Sequence, residues 1–454
     1  MSQAIEQRDV LIVGAGIAGL SLAIRLKESG LNPLLIEKQV GVRNQLKGEF
    51  FQPKGVELLS ELNLLSSFSA EHIQEIHQIH HNYAHPILKH TLSFSTHFDS
   101  YRPNVYGLIC LHEDILLSLR KRYQSLGGDL HEGCHVVDLD VLQNATLCTL
   151  SSGKIIKTKI FVGSDGRYST TRKMAQMPVV DVDCDRVMVA TLMPDVNISE
   201  GVFYTEEIPQ GVIYAFKYKN NLSRVYICFL KEELAKATAQ REAFFTEKIK
   251  DTKLFAQKKI VYQEPILFMP TVDTMLAKRS RKNAVWIGDA AGVVDPLAGY
   301  GLTLSLQDAQ ELAETIITNL ADTKNLETHL AHFAASSQKR YLHARYIGLW
   351  VATLFMGSHR AGRLAKWRTL SQVRKNAELQ TRLLGLFSGF DTNPFHLHDI
   401  PYYLGLLPNM IHEKVDGFSI MQKMSLVQNY ILTTPFEVKK TEVKNKFIEL
   451  ITRV

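Results

Sequence analysis

The stretch Asp9-Val10-Leu11-Ile12-Val13-Gly14-Ala15-Gly16-Ile17-Ala18-Gly19 decides how the chain is read. Asp9 to Val13 is a short apolar run of the kind shown by a strand buried on both faces. It empties into three glycines with separate tasks. Gly14 permits the tight turn, Gly16 lets backbone amides approach a pyrophosphate, and Gly19 lets the following helix lie close on the sheet. Leu20, Ala23, Ile24 and Leu26 recur at helical spacing, Gly30 suits the helix end, and Leu34-Leu35-Ile36 supplies a second strand. Glu37 closes the unit. A carboxylate about twenty residues past the glycines accepts both ribose hydroxyls of an adenosine and repels a 2′-phosphate, so the nucleotide here is FAD or NAD rather than NADP. Residues Gly14, Ala15, Gly16, Ile17, Ala18 and Gly19, at a helix N-terminus, form the expected phosphate cradle.

The 454 residues leave room for about two or three domains. A formal charge of +6, with no Lys and Arg stripe interleaved with aromatics, gives nucleic acid binding no support. Five scattered cysteines (Cys110, Cys134, Cys148, Cys184, Cys228) offer no close pair for a disulfide framework or a zinc site and fit a reducing, cytoplasmic setting. The apolar N-terminal run lacks a basic leader, and no uninterrupted stretch reaches the ~18 apolar residues of a membrane span.

After Glu37 and Lys38, a polar loop carries Arg43, Asn44 and Lys47, of which Arg43 and Lys47 are within sequence reach of cofactor phosphates. Pro53 opens a short helix. Eight of the 17 histidines lie between His72 and His112. The spacing His77, His81, His85 would align three imidazoles on one helix face. Without a Glu-x-x-His or Cys partner, the expectation is no metal, and Ile73, Ile76 and Ile79 fit the buried side of an amphipathic segment. Leu108 to Leu119 reads as a strand end and helix start. Leu130 to Leu139, Thr146 to Leu150 and Ile155 to Val162 read as strands, the last two joined by a turn at Ser151 to Lys154.

Gly163-Ser164-Asp165-Gly166-Arg167-Tyr168-Ser169-Thr170-Thr171-Arg172 follows a buried strand and sets a carboxylate and backbone amides beside a second phosphate or a ribityl chain. From Cys184 to Leu230, short β-rich runs alternate with Pro, Asn and Gly signals. A charged helix from about Glu232 to Lys250 and a returning strand from Ile260 to Pro270 complete an insertion that cannot continue a parallel sheet. Ala284 to Ile287 is again a buried strand, running into Gly288-Asp289. Pro296-Leu297-Ala298-Gly299-Tyr300-Gly301 then leads to a helix opening at Leu302. That helix end would favour negative charge, as reduced flavin requires at its N1 and O2 edge.

Three motifs in this order, Gly14 to Gly19 with Glu37, Asp165-Gly166 with Arg172, and Gly288-Asp289 with Pro296 to Gly301, resemble the flavin-dependent monooxygenases of the p-hydroxybenzoate hydroxylase type, the FAD-dependent (class A) aromatic hydroxylases. The resemblance covers about residues 8 to 320. It implies pyrophosphate at Gly14 to Gly19, adenosine ribose on Glu37 and Asp289 on the ribityl chain. It also implies that Asp165 and Gly166 lie near FAD and the donor's path, and that Pro296, Gly299, Gly301 and Leu302 pack around the isoalloxazine. His112 stands where the family has Arg or Gln near the cofactor. Gly292 replaces a frequent His and Thr303 a frequent Asn, and the Gly-Asp-Ala-Ala-Gly form also resembles flavin reductases of polyprenyl lipids. No second glycine fingerprint is present, so NADPH or NADH is expected as a transient donor without a Rossmann domain of its own.

The expected fold is α/β: a Rossmann-like FAD-binding domain (residues 1–180 with 271–340), an inserted antiparallel β-sheet substrate domain (181–270) and a helical C-terminal region (341–454). The expected activity is a monooxygenase using a nicotinamide donor and O2 to hydroxylate or epoxidise a hydrophobic or aromatic small molecule. The alternatives are a flavin-dependent reductase of a polyprenyl or other alkene, and a non-catalytic flavin-binding module. In the C-terminal region, Ile347, Trp350, Val351, Leu354 and Phe355 form an apolar stripe flanked by Arg340, Arg345, Arg360, Arg363, Lys366 and Arg368. Packing on the protein's own core is the favoured reading, and peripheral contact with a membrane surface is the alternative, which the stretch Tyr402 to Leu407 could join.

Overall fold

The computed structural model describes residues 5–42, 47–84, 91–209, 211–256, 258–356, 367 and 370–390. In the first sheet, the strand Ile5–Val13 lies parallel between Leu34–Glu37 and Ile155–Gly163. Ala284–Trp286 extends the parallel run on one side and Asp129–Glu132 on the other. Parallel strands need cover on both faces, which is why Val10 to Val13 and Leu34 to Ile36 are buried without alternation. The helix Ile17–Glu28 covers one face and packs against the helix Gly301–Asn319. It stops where Gly30 adopts φ +88° and the Leu31 N–H returns 3.0 Å to the Leu26 carbonyl.

The second sheet runs in the order Gly292–Val293, Leu267–Leu276, Val179–Pro194, Leu222–Leu230, Gly211–Lys217, Val202–Ile208, Gln78–Ala84, Thr91–His97. Its outer face, through Val189, Ile213, Val225 and Ile227, buries Phe244, Phe245 and Ile249 of the helix Arg241–Ile249. Its inner face, through Met188, Ala190, Tyr214, Phe216 and Tyr226, joins a core with Leu297, Tyr300 and the helix Leu326–Met356. Burial on both sides explains the continuous apolar runs of the insertion.

Several sequence expectations are corrected. The histidine segment is extended, not helical: Ile73–Ile76 and Gln78–Ala84 are strands, so His80 and His81 point to opposite faces. His85 lies outside the described residues. The strands Gln78–Ala84 and Thr91–His97 belong to the second sheet, because Val202–Ile208 pairs in parallel with Gln78–Ala84; the expected boundary left them in the nucleotide-binding part. The expected strand Leu130 to Leu139 is two, Asp129–Glu132 and Val136–Val141, broken near Gly133 with φ +68°. The charged helix breaks at Gln240, and the returning strand is Leu267–Leu276, in register with Val179–Pro194 from Leu267 onward. The last long helix begins at Leu326, ahead of the expected 341, and Ile347 and Val351 are 2% and 1% exposed in the core. Arg360, Arg363, Lys366, Arg368 and Tyr402 to Leu407 lie outside the described residues.

Candidate functional site

Strand register brings the three motifs together. Val13 lies opposite both Ile36 and Gly163, and Gly163 lies opposite Trp286. The strands therefore end level, and the chain leaves them at Gly14, Ser164 and Ile287 along the carboxyl edge, where open α/β sheets bind ligands. The Ser164 N–H donates 2.8 Å to the Val13 carbonyl and the Ile287 N–H 3.0 Å to the Gly163 carbonyl. Ser164 Oγ donates 2.8 Å to the Gly14 carbonyl, tying the second motif to the first.

The glycines divide by cause. A Cβ on Gly14, which adopts φ +107°, would stand 2.4 Å from the Ser164 carbonyl oxygen, and one on Gly19 would stand 2.0 Å from that of Gly14. Both are required by the protein's own packing. A Cβ on Gly16 would meet nothing within 4 Å. Gly16 instead borders the space ahead of the N-terminus of Ile17–Glu28, next to Ala15, Ile17 and Ala18. Glu37 stands beside this turn, accepting the Ala15 N–H at 2.8 Å and the Gln39 N–H at 2.9 Å, which leaves lone pairs on both oxygens. Lys38 is exposed next to it. Arg43 lies outside the described residues.

Asp165 and Asp289 are in opposite situations. The Asp165 carboxylate accepts the Thr170 and Thr171 N–H groups at 2.9 and 3.0 Å and the hydroxyls of Ser169, Thr170 and Thr171 at 2.5, 3.3 and 2.9 Å. It caps the short helix Thr170–Met174, and its bonds give the expected place on a donor's path no support. Gly166, with φ +81°, has open space at its Cβ position. Buried Arg172 donates 3.1 Å to the Ala290 carbonyl and 3.1 Å to the Arg167 carbonyl, joining the second motif to the third.

Gly288 adopts φ +59° and packs at Ala18, where an added Cβ would come within 2.9 Å of the Ala18 Cβ. Its N–H donates 3.2 Å to Asp308, a fully buried carboxylate that also accepts Ser337 Oγ at 2.6 Å and Arg340 Nη2 at 3.0 Å, with Arg279 Nη1 at 3.5 Å. Asp289 itself accepts no hydrogen bond from the described residues. Beyond it, Asp295 caps Pro296–Ala298 through the Leu297 N–H at 3.0 Å, and Gly299 adopts φ +68°. Gly301 opens the helix Gly301–Asn319 with no atom within 4 Å of its Cβ position.

Gly48 packs on Leu302, 3.3 Å from its Cγ to an added Cβ, and its backbone also meets His112. Burial, reinforced by Lys47, pushes the His112 imidazole down to about 3, so it is neutral, and its Nδ1 has no partner among the described residues. The adjoining Glu49, 3% exposed, is held by Arg224 Nε and Nη2 at 2.8 and 2.9 Å and by the Tyr218 and Tyr226 hydroxyls at 3.0 Å each. Asp308, Arg279, Glu49 and the Asp295 cap are roles the sequence reading missed. Only Asp308 left a signal, as a charge on the buried stripe of its helix. These residues fit the expected FAD: open cradle positions at Gly16, Gly166 and Gly301 and, among the described residues, an uncommitted Asp289 carboxylate and an unpartnered buried imidazole nitrogen.

Residues 7–339 match the family model described as FAD binding domain. The chain is 24% identical to 6-methylpretetramide 4-monooxygenase of Streptomyces rimosus, over 74% of this chain and 84% of that protein. It is 19% identical to a squalene epoxidase of Schizosaccharomyces pombe, over 94% of this chain and 96% of that one. The crystal structure of a p-nitrophenol 4-monooxygenase from Pseudomonas putida superposes with a TM-score of 0.73 at 18% identity, covering 85% of this chain and all (100%) of that chain.

Proposed function

The chain belongs to the FAD binding domain family, and from that premise we propose that it is a monooxygenase that uses FAD, a nicotinamide donor and O2 to hydroxylate or epoxidise a hydrophobic or aromatic small molecule. The observation that carries the reading is the level ending of three parallel strands, which sets an open glycine cradle, the Asp289 carboxylate, bonded to none of the described residues, and the start of the helix Gly301–Asn319 along one edge. When bound, FAD supplies acceptance of hydride from the donor and transfer of one oxygen atom from O2 to the substrate.

The protein's part is to bind, orient and exclude water. Gly16 and the amides that open Ile17–Glu28 hold the pyrophosphate, Glu37 the adenosine ribose, and Asp289 the ribityl hydroxyls. The first-turn amides after Gly301 favour the negative charge of a reduced flavin. The inner face of the second sheet, with Phe203, Tyr214, Phe216, Tyr218 and Tyr226, offers an aromatic, apolar surface suited to substrates of the same character. The test is oxygen uptake by FAD-loaded protein with NADH or NADPH, with candidate substrates screened for acceleration of flavin reduction. Donor-dependent uptake coupled to oxygenated product supports the proposal. Reduction of an alkene without oxygen consumption would replace it with the reductase reading, and absence of any donor oxidation would leave only a flavin-binding module.

A further inference from the structure

On the inner face of the second sheet Arg186 and Arg224 are buried, and each reaches across to an acid on a segment bordering the nucleotide site. Arg224 holds Glu49. Arg186 Nη2 is bonded to Asp295 Oδ2, 109 residues away, and their side chains are 3% and 5% exposed. Asp295 is committed on its other oxygen to the Leu297 N–H at 3.0 Å, so this ion pair and the turn Pro296–Ala298 are one unit. Gly348 of Leu326–Met356 closes over it, with an added Cβ only 3.0 Å from the Asp295 Cβ. Among the described residues Tyr214 adjoins the pair; its hydroxyl reaches the Leu297 carbonyl at 3.5 Å, and burial keeps it a neutral phenol. A buried ion pair is a poor source of stability compared with apolar packing. In dry surroundings, however, its charges act over longer distances than they would in water.

We propose that Asp295 and Arg186 form a charge-positioning pair that tunes the flavin's reduction potential: Arg186 on the substrate sheet balances Asp295, which leads directly into the turn and helix expected to face the flavin ring. The inference rests on the FAD-dependent reading above. Reduced flavin is the more negative form, so removing the Asp295 charge while Arg186 remains favours reduction. Removing Arg186 while Asp295 remains opposes it. The pair also ties the sheet that carries substrate to the loop that carries the flavin, so movement of one is felt by the other.

The test is the midpoint potential of bound FAD in the full-length holoprotein, measured against reference dyes for wild type, Asp295→Asn, Arg186→Met and the double variant. Asn keeps the Oδ1 acceptor for Leu297 and removes only the charge. The expected result is a rise in Asp295→Asn corresponding to about tenfold greater preference for reduced flavin, which is ~30 mV for a two-electron couple. Arg186→Met is expected to shift the other way, and the double variant to return towards wild type. Shifts of equal sign in both single variants, or an unchanged midpoint in Asp295→Asn, would overturn the inference. If Arg186→Met does not fold, Arg186→Lys, which keeps the charge, is expected to hold the wild-type midpoint, and a rise as large as that of Asp295→Asn would count against the pair. Protein that takes up no FAD overturns the functional reading and this inference with it, whereas FAD-loaded variants with wild-type midpoints overturn this inference alone.

Discussion

Arg172 Nη1 donates 3.1 Å to the carbonyl oxygen of Ala290, so the second nucleotide motif physically holds the third. The same guanidinium reaches the Arg167 carbonyl at 3.1 Å, and the side chain is buried. A charged donor is worth about 1.5–3 kcal/mol per bond, and its loss removes this donor from the buried Ala290 carbonyl and the part-buried Arg167 carbonyl. Arg172→Ala is therefore expected to weaken FAD by about tenfold or more, the equivalent of ~1.4 kcal/mol. Arg172→Lys should restore little, because a single ammonium does not reproduce the fork. Wild-type FAD affinity in Arg172→Ala, measured by flavin fluorescence titration, would show that the link is dispensable.

Gly16→Ala should separate folding from binding. With nothing within 4 Å of its Cβ position, the variant is expected to melt like wild-type apoprotein yet bind FAD at least about tenfold more weakly. Gly14→Ala and Gly19→Ala collide with backbone and should lose ~1–3 kcal/mol or more of stability even without the cofactor. Parallel thermal melts and FAD titrations read the contrast, and equal behaviour of all three variants would refute it.

The two aspartates should differ in role, Asp165 serving the fold and Asp289 the cofactor. Asp165→Ala removes a carboxylate with five donors and is expected to cost about 1–3 kcal/mol of stability, chiefly through the helix Thr170–Met174. Asp289→Ala frees no donor among the described residues, so the apoprotein should be nearly unaffected while FAD weakens about tenfold or more. Denaturant unfolding of the two apoproteins distinguishes them. A destabilised Asp289→Ala with FAD affinity intact would reverse the assignment.

Two buried neutral imidazoles make stability depend on acid. Burial pushes His81 and His112 each down to about 3 from an ordinary value near 6.5. Above that ordinary value neither group costs anything. Between it and the folded value the unfolded chain binds two protons that the native state does not, so stability falls with decreasing pH by about 2.7 kcal/mol per pH unit. His81→Gln is expected to remove about half of that slope. An unchanged slope in urea titrations between pH 6 and 4 would exclude His81 as a contributor.

The Leu326–Met356 helix should respond as core. Ile347 and Val351 are fully enclosed, so Ile347→Glu buries an unpaired carboxylate and is expected to cost ~3 kcal/mol or more. A stable, folded Ile347→Glu protein that has lost binding to anionic liposomes would instead favour the membrane reading of this stripe.

The amino-acid sequence by itself determined the nucleotide unit from Val10 to Glu37, the order of the three motifs and the β-rich insertion. These features depend on local rules: glycine where φ is positive or backbones touch, continuous apolar runs for doubly covered strands, and an acid at the end of the second strand. Tertiary structure alone decided which carboxylates remain free. Asp165 and Asp289 both follow a buried strand and a glycine or serine, yet one is consumed by Ser169, Thr170 and Thr171 and the other accepts no hydrogen bond among the described residues. It also decided that Gln78–Ala84, and Thr91–His97 paired to it, join the second sheet, since Val202–Ile208, the other partner of Gln78–Ala84, lies more than a hundred positions away in the chain. The pairs Arg186–Asp295 and Arg279–Asp308 are equally distant from local pattern. Periodicity reports which face a residue presents, whereas the identity of its partner depends on strand register and layer packing, which are settled only when the whole core closes.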